Sequence, residues 1–328
     1  MRAVAIVLGV ALALGMTGSR ASAEGLIAQF NAGAGELPEG IAVDRAGALY
    51  VSLAPTGEIR RQASDGTWST LHRFTPDSHG GLAVLGLAAD RSGNLFVAVP
   101  SDAPSEHGVW RISASGAATR IPGTEAIAFP NGIALDGRGS TYVTDSVGGT
   151  IWRIGSDGHV TPWMSDPLLA GTGLLNGPGA PIGANGIAYE RGALVVANTE
   201  QRIILDIPIG DGGVPGVPQI RHAYAEPLDL LDGVVVDVVG NAYAVVHGRR
   251  VDRISPHGSV TTVATYEDHD LVVPASLAFG TRGTAKRVLY VTYLSLPPLV
   301  RLAFPEGGVG PMPGIVAIEV SLPGPPLR

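Results

Sequence analysis

A unit of about 45 residues recurs six times along this chain, and that recurrence limits the fold more than any other feature. Gly40 opens GIAVDRAGALYVS, Gly86 opens GLAADRSGNLFVA and Gly132 opens GIALDGRGSTYVT. Gly186 opens GIAYERGALVVA, Gly233 opens GVVVDVVGNAYAV, and Ser276 opens a worn sixth copy, SLAFGTRGTAKRVLYVT. The start positions are separated by 46, 46, 54, 47 and 43 residues, the length taken by a four-stranded propeller blade. Each copy reads strand, turn, strand. The turn carries an acid and then a glycine, as in Asp44 to Gly47 and Asp237 to Gly240. The acid can bind backbone amides two residues on, and glycine supplies the positive φ that such a turn requires.

A third strand follows in most copies, as in Val109-Trp110-Arg111-Ile112 and Val251-Asp252-Arg253-Ile254, and a further turn leads to a fourth. Six units of four strands predict an all-β, six-bladed β-propeller with four-stranded blades. The sixth copy lacks its fourth strand, ending in Gly314 to Val320, whereas Gly25 to Phe30 lies spare before the first copy. Pairing the two removes the open edges of the ring. The propeller is therefore expected to be closed by an N-terminal strand joining the last blade.

Composition narrows the setting. The chain has 46 glycines and 25 prolines in 328 residues, which suits many tight turns, and a net charge of −7. The arginines are scattered, so no nucleic-acid partner is expected. Residues 1–23 read as a signal peptide: Arg2, an apolar run from Ala3 to Leu14, and Ala21-Ser22-Ala23 as a cleavage site. That run is too short to span a bilayer. Residues 24–328 are then one propeller domain, secreted or periplasmic, with no membrane span after cleavage. It is expected to be a monomer. Cysteine is absent.

The position before each anchor residue does not follow from blade packing. In order it holds Glu39, Leu85, Asn131, Asn185, Asp232 and Ala275. These residues begin the innermost strands, so they should converge at one mouth of the central channel. Two carboxylates facing each other there repel, by up to about 4 kcal/mol at ~4 Å and an effective dielectric of ~20. Either one is protonated or a cation lies between them. Asn131 and Asn185 taken singly would read as turn caps; four oxygen donors at one register read as a divalent cation site. Calcium suits such a set, with magnesium, manganese or zinc as alternatives, although zinc prefers nitrogen and sulfur.

In this order and spacing, Glu39-Gly40, Pro130-Asn131-Gly132-Ile133, Ala184-Asn185-Gly186-Ile187, Asp232-Gly233, Phe279-Gly280 and Tyr290-Val291-Thr292 resemble the senescence marker protein (regucalcin), gluconolactonase and luciferin-regenerating family. The paraoxonases are more distant relatives. The resemblance covers the chain beyond the leader. It implies a divalent cation, usually calcium, held by Glu39, Asn131, Asn185 and Asp232, and a lactone or ester hydrolase. It further implies that Asp232 doubles as the catalytic base. The sugar-lactonase members carry an arginine two residues before the blade-three asparagine, where this chain has Phe129; the paraoxonases carry a blade-two channel histidine, where it has Leu85. A small apolar lactone or ester is therefore expected as substrate, rather than a sugar lactone.

Loops between second and third strands should rim the same mouth. They offer His107, Asp145, Asn198, Glu200 and His247 as substrate contacts, and His269-Asp270 could also reach it. No G-x-S-x-G elbow is present, which excludes serine hydrolases of that type. Two other classes stay open: a non-catalytic, NHL-like binding module with a structural metal, and a lyase or carbon–carbon bond-forming enzyme on the same scaffold.

Overall fold

The computed structural model describes residues 23–63, 65–76, 82–174, 181–247, 250–265, 273–297, 300 and 312–328. Residues 1–22 of the leader, and His269-Asp270, lie outside the described residues; Ala23 opens the first strand.

Six four-stranded antiparallel sheets follow one another along the chain. Their innermost strands are Pro38–Val43, Leu87–Ala89, Pro130–Leu135, Ala184–Glu190, Leu231–Val236 and Pro274–Phe279. Five sheets use consecutive strands. The sixth runs Pro274–Phe279, Val288–Tyr293, Gly314–Glu319 and, outermost, Ala23–Gln29. The spare N-terminal strand closes the ring as expected, with Leu26 opposite Val316 and Gln29 opposite Gly314.

Burial falls from axis to rim. The second strands Leu49–Leu53, Thr141–Asp145 and Ala242–Val246 are buried throughout. The outer strand Trp68–Arg73 has no buried residue. Apolar side chains fill the wedges between blades: Tyr50, Ile59 and Phe74 of blade one pack with Leu95, Val97 and Ile112 of blade two. The first hairpin turns form as their residues dictate. Asp237 Oδ1 accepts from the amides of Val239 and Asn241, and Gly240 takes φ +93°.

A set of buried hydroxyls sews neighbouring inner strands together. Gly132 N donates to Thr144 Oγ1 at 2.8 Å, and Thr144 Oγ1 donates to the carbonyl of Asn185 in the next blade at 2.6 Å. Ser52 does the same between Gly40 N and the Leu85 carbonyl. Thr292 links Ser276 N to the Glu39 carbonyl, across the seam where the last blade meets the first. These hydroxyls sit one residue short of the end of, or near the end of, the second strand. They are fully buried, so each satisfies a donor and an acceptor that water cannot reach.

The lower half of the channel is an apolar cavity of about 190 Å³ between the inner strands, floored by Pro325–Arg328. The segment is firmly seated. Gly324 N donates to the Lys286 carbonyl, Val238 N to the Pro323 carbonyl, and Arg91 N to the main-chain oxygen of Arg328. Arg328 binds Glu190 at 2.9 Å and stacks on Tyr189.

Thr144→Val keeps the shape but strands Gly132 N and the Asn185 carbonyl in a dry seam. It should destabilise the fold by about 1–3 kcal/mol, measured by denaturant unfolding; an unchanged midpoint would show that the hydroxyl bridge contributes nothing.

Candidate functional site

The inner and second strands do not pair evenly. Pro38 faces Leu53 and Ile41 faces Val51, so three steps on one strand meet two on the other. The same extra residue occurs at Pro130/Ile133, Ala184/Ile187, Leu231/Val234 and Pro274/Leu277. In blade two, Ala98 bonds to both Leu85 N and the Gly86 carbonyl, which gives the same bulge. Every pre-anchor residue therefore sits in a β-bulge at the upper end of its inner strand. A bulge re-aims a side chain out of the pleat.

The glycine that follows lets adjacent bulges touch. A Cβ on Gly40 would lie 2.4 Å from the Leu85 carbonyl oxygen, and one on Gly132 would lie 2.4 Å from that of Asn185. Gly86, Gly186 and Gly233 meet the next blade in the same way. Backbone contact from blade to blade thus fixes the six pre-anchor residues in a ring. Glu39, Asn131, Asn185 and Asp232 are all buried.

The residue after the second strand of each blade decides how its ring member is held. In blade three, Asn131 Nδ2 donates to Ser146 Oγ at 3.1 Å. Ser146 Oγ in turn donates to the Ala184 carbonyl at 2.7 Å, so it must accept from the amide. That fixes the amide nitrogen outward and leaves the Asn131 carbonyl oxygen as the uncommitted end. In blade four, Asn185 Nδ2 lies 3.0 Å from Thr199 Oγ1. In blade five, Asp232 Oδ2 lies 3.0 Å from His247 Nε2. Leu85 and Ala275 are apolar and cluster with Leu37, Ala54 and Leu294.

Blade one breaks the match. The residue in the same place is Ala54, and Glu39 Oε2 is buried with no hydrogen-bond partner. Around the ring, Glu39 stands between Ala275 and Leu85, which strip its solvation. Burial pushes its carboxyl well above the usual carboxylate range, and the charge on Asp232 raises it further. One carboxylate is oriented by a histidine; among the described residues the other has no counter-group. Among the described residues no three of His, Cys, Asp or Glu form a metal cluster by themselves. A cation here would depend on the two asparagine carbonyls as well, an all-oxygen set of the kind calcium takes.

The other loop residues are occupied differently. His107 places its ring nitrogens against the carbonyls of Ser101 and Ile127. Asp145 accepts from the amides of Ala128, Phe129 and Gly148. Asn198 donates to the Leu168 and Ala170 carbonyls, and Glu200 accepts from the amides of Thr172 and Gly173. These four shape the rim by tying down its backbone. His247 alone of the five touches a ring member. Sequence reasoning missed Ser146 and Thr199, although they occupy the register of His247 in the repeat. Phe129 packs against the Leu85 cluster, so one side of the mouth is apolar.

Residues 27–61 match the family model described as strictosidine synthase-like, N-terminal. Over nearly the whole chain the structure superposes on propellers of known structure. A putative gluconolactonase is 18% identical with a TM-score of 0.66, covering 91% of this chain and 92% of its own. The calcium-binding protein regucalcin from Agrobacterium tumefaciens is 18% identical with a TM-score of 0.66, covering 89% and 93%. A luciferin-regenerating enzyme is 15% identical with a TM-score of 0.67, covering 89% and 94%. The fold is that of the gluconolactonase and regucalcin propellers. These are the proteins that the sequence motifs resemble. No curated protein matches the sequence.

Glu39→Gln should stabilise the metal-free protein, because it removes the charge that burial and Asp232 oppose. A rise in Tm of roughly 2 °C or more in chelator is expected. A raised carboxyl favours the folded state in acid and loses that advantage as pH rises through its folded value, so the gap should shrink toward the ordinary glutamate value of ~4.3. Added calcium should stabilise the native protein and not the variant. Equal melting of both proteins in chelator at pH 8 would contradict the unbalanced charge.

Proposed function

We propose that this protein is a metal-dependent hydrolase of lactones or esters, secreted or periplasmic, acting at the ring of pre-anchor side chains. The observation that carries this reading is Glu39: a buried carboxylate oxygen without a hydrogen-bond partner, on the same ring as a second carboxylate, Asp232, whose charge acts on it. Glu39, Asn131, Asn185 and Asp232 would hold a divalent cation, calcium being the best fit to oxygen donors. When bound, it supplies Lewis acidity toward a carbonyl oxygen.

The chain's own groups do the rest. Asp232 takes a proton from water, while His247 Nε2 holds its Oδ2 and leaves Oδ1 to face the reacting water. The resulting hydroxide adds to the carbonyl carbon. The acyl C–O bond then breaks, and the proton held by Asp232 passes to the leaving alkoxide. Leu85, Phe129 and Leu294 line one side of the mouth and suit an apolar ring or acyl group better than a sugar. Similar structures named gluconolactonase support the reaction class, and one named calcium-binding supports the cation.

A second reading is a binding module with a structural cation. It is favoured by the rim, where His107, Asp145, Asn198 and Glu200 serve the backbone. Turnover of phenyl acetate and a panel of γ- and δ-lactones, with and without chelator, separates the two. The hydrolase predicts turnover that chelator abolishes and divalent ions restore. Asp232→Asn should lower turnover by about 10²–10⁴-fold while calcium still raises Tm. Lost stability in chelator with no turnover of any substrate would establish the binding module instead.

A further inference from the structure

The lower face carries a second feature, remote from the mouth and independent of the reading given for it. The first-hairpin turns project there, and in five of six blades they bear an arginine: Arg45, Arg91, Arg138, Arg191 and Arg282. All five are exposed. The acids of the same turns face inward instead. Asp44 accepts from Ala48 N and Tyr50 Oη, and Asp90 from the amides of Ser92 and Asn94 and from Asn94 Nδ2. On this face the guanidinium groups thus lie outward of the turn carboxylates.

Part of this face is recessed. The seated segment Pro323–Leu327 forms one wall of a pocket of about 620 Å³, and Arg45, Arg91 and Lys286 line it together with Val238. Arg91 Nε is held by the Leu327 carbonyl at 2.6 Å, which orients its guanidinium. Among the described residues, none of the three cations forms an ion pair with a carboxylate. Three positive groups from three different blades thus share one concavity with a proline-rich apolar wall. The volume is that of a small-molecule site, and guanidinium with ammonium is the donor set that phosphate oxygens take.

We propose that this pocket binds a small phosphate monoester, its phosphate held by Arg45, Arg91 and Lys286 and its body against Pro325 and Pro326. The recess between turns and tail suits a free ester better than a headgroup in a bilayer. Since the tail also floors the channel, occupancy would clamp it to blades one, two and six.

Glycerol 3-phosphate is a suitable probe, titrated calorimetrically into the full chain without added divalent ions, with glycerol and with sodium chloride at matched ionic strength as references. Saturable binding of the ester alone is expected. Lys286→Gln should weaken it about tenfold, and Arg45→Ser with Lys286→Gln should abolish it. Both side chains are exposed, so folding is spared, and lactone or ester turnover should be unchanged. Arg111→Ser, on an outer strand face, should leave binding intact. Heat reproduced by chloride, equal binding in the double variant, or a response to phosphatidylglycerol vesicles without one to the soluble ester would each overturn the proposal.

Discussion

Backbone contact between neighbouring bulges at the channel mouth is the constraint from which the rest of the structure follows. Each anchor glycine lies against the carbonyl of the next blade's pre-anchor residue, closer than any Cβ allows. That spacing brings six inner strands to one axis. It also leaves no freedom in where the pre-anchor side chains emerge. The hydroxyls of Ser52, Thr144 and Thr292 add hydrogen bonds across the same seams, and they do so where water is excluded, so their loss is felt in full. The fold and the candidate site therefore share one set of atoms. A change that loosens the ring would blur the site before it opened the propeller.

On that ring, polarity is matched pair by pair. An amide meets a hydroxyl in blades three and four, a carboxylate meets a histidine in blade five, and apolar residues meet apolar residues in blades two and six. Only Glu39 faces a methyl group. A buried unpaired carboxylate is costly, and among the described residues no packing partner offsets that cost at Glu39. The mismatch has a use if the missing partner arrives from solution. Glu39 marks a position where packing logic fails, which is where functional groups are expected to sit.

Much of this was legible in the residues. The period, the turn acids and glycines, and the spare strand at the N-terminus specified blade count and closure, because turn chemistry and strand pairing are local rules repeated six times. The ring members were legible as exceptions within the repeat. What the residues did not disclose were partners set by three-dimensional register. Asp145, Asn198 and Glu200 look like free polar groups in a loop, yet backbone amides and carbonyls far along the chain occupy them. Ser146 and Thr199 look like ordinary loop residues, yet they orient the two asparagines. The bulge is the reason: one extra residue per inner strand shifts which side chains meet, and no periodicity of two reports it.

The two ends of the channel are chemically opposite. The upper end gathers carboxylates and amides; the lower half is apolar and is floored by Pro325–Arg328. A hydrated cation crossing from below would have to shed water against aliphatic side chains, a cost with no compensating ligand on the way. The lower half is therefore a costly route to the ring for any charged species. The positive groups of the lower face lie beyond the floor. The tail that floors the channel and the inner strands that run from it to the ring join the two faces.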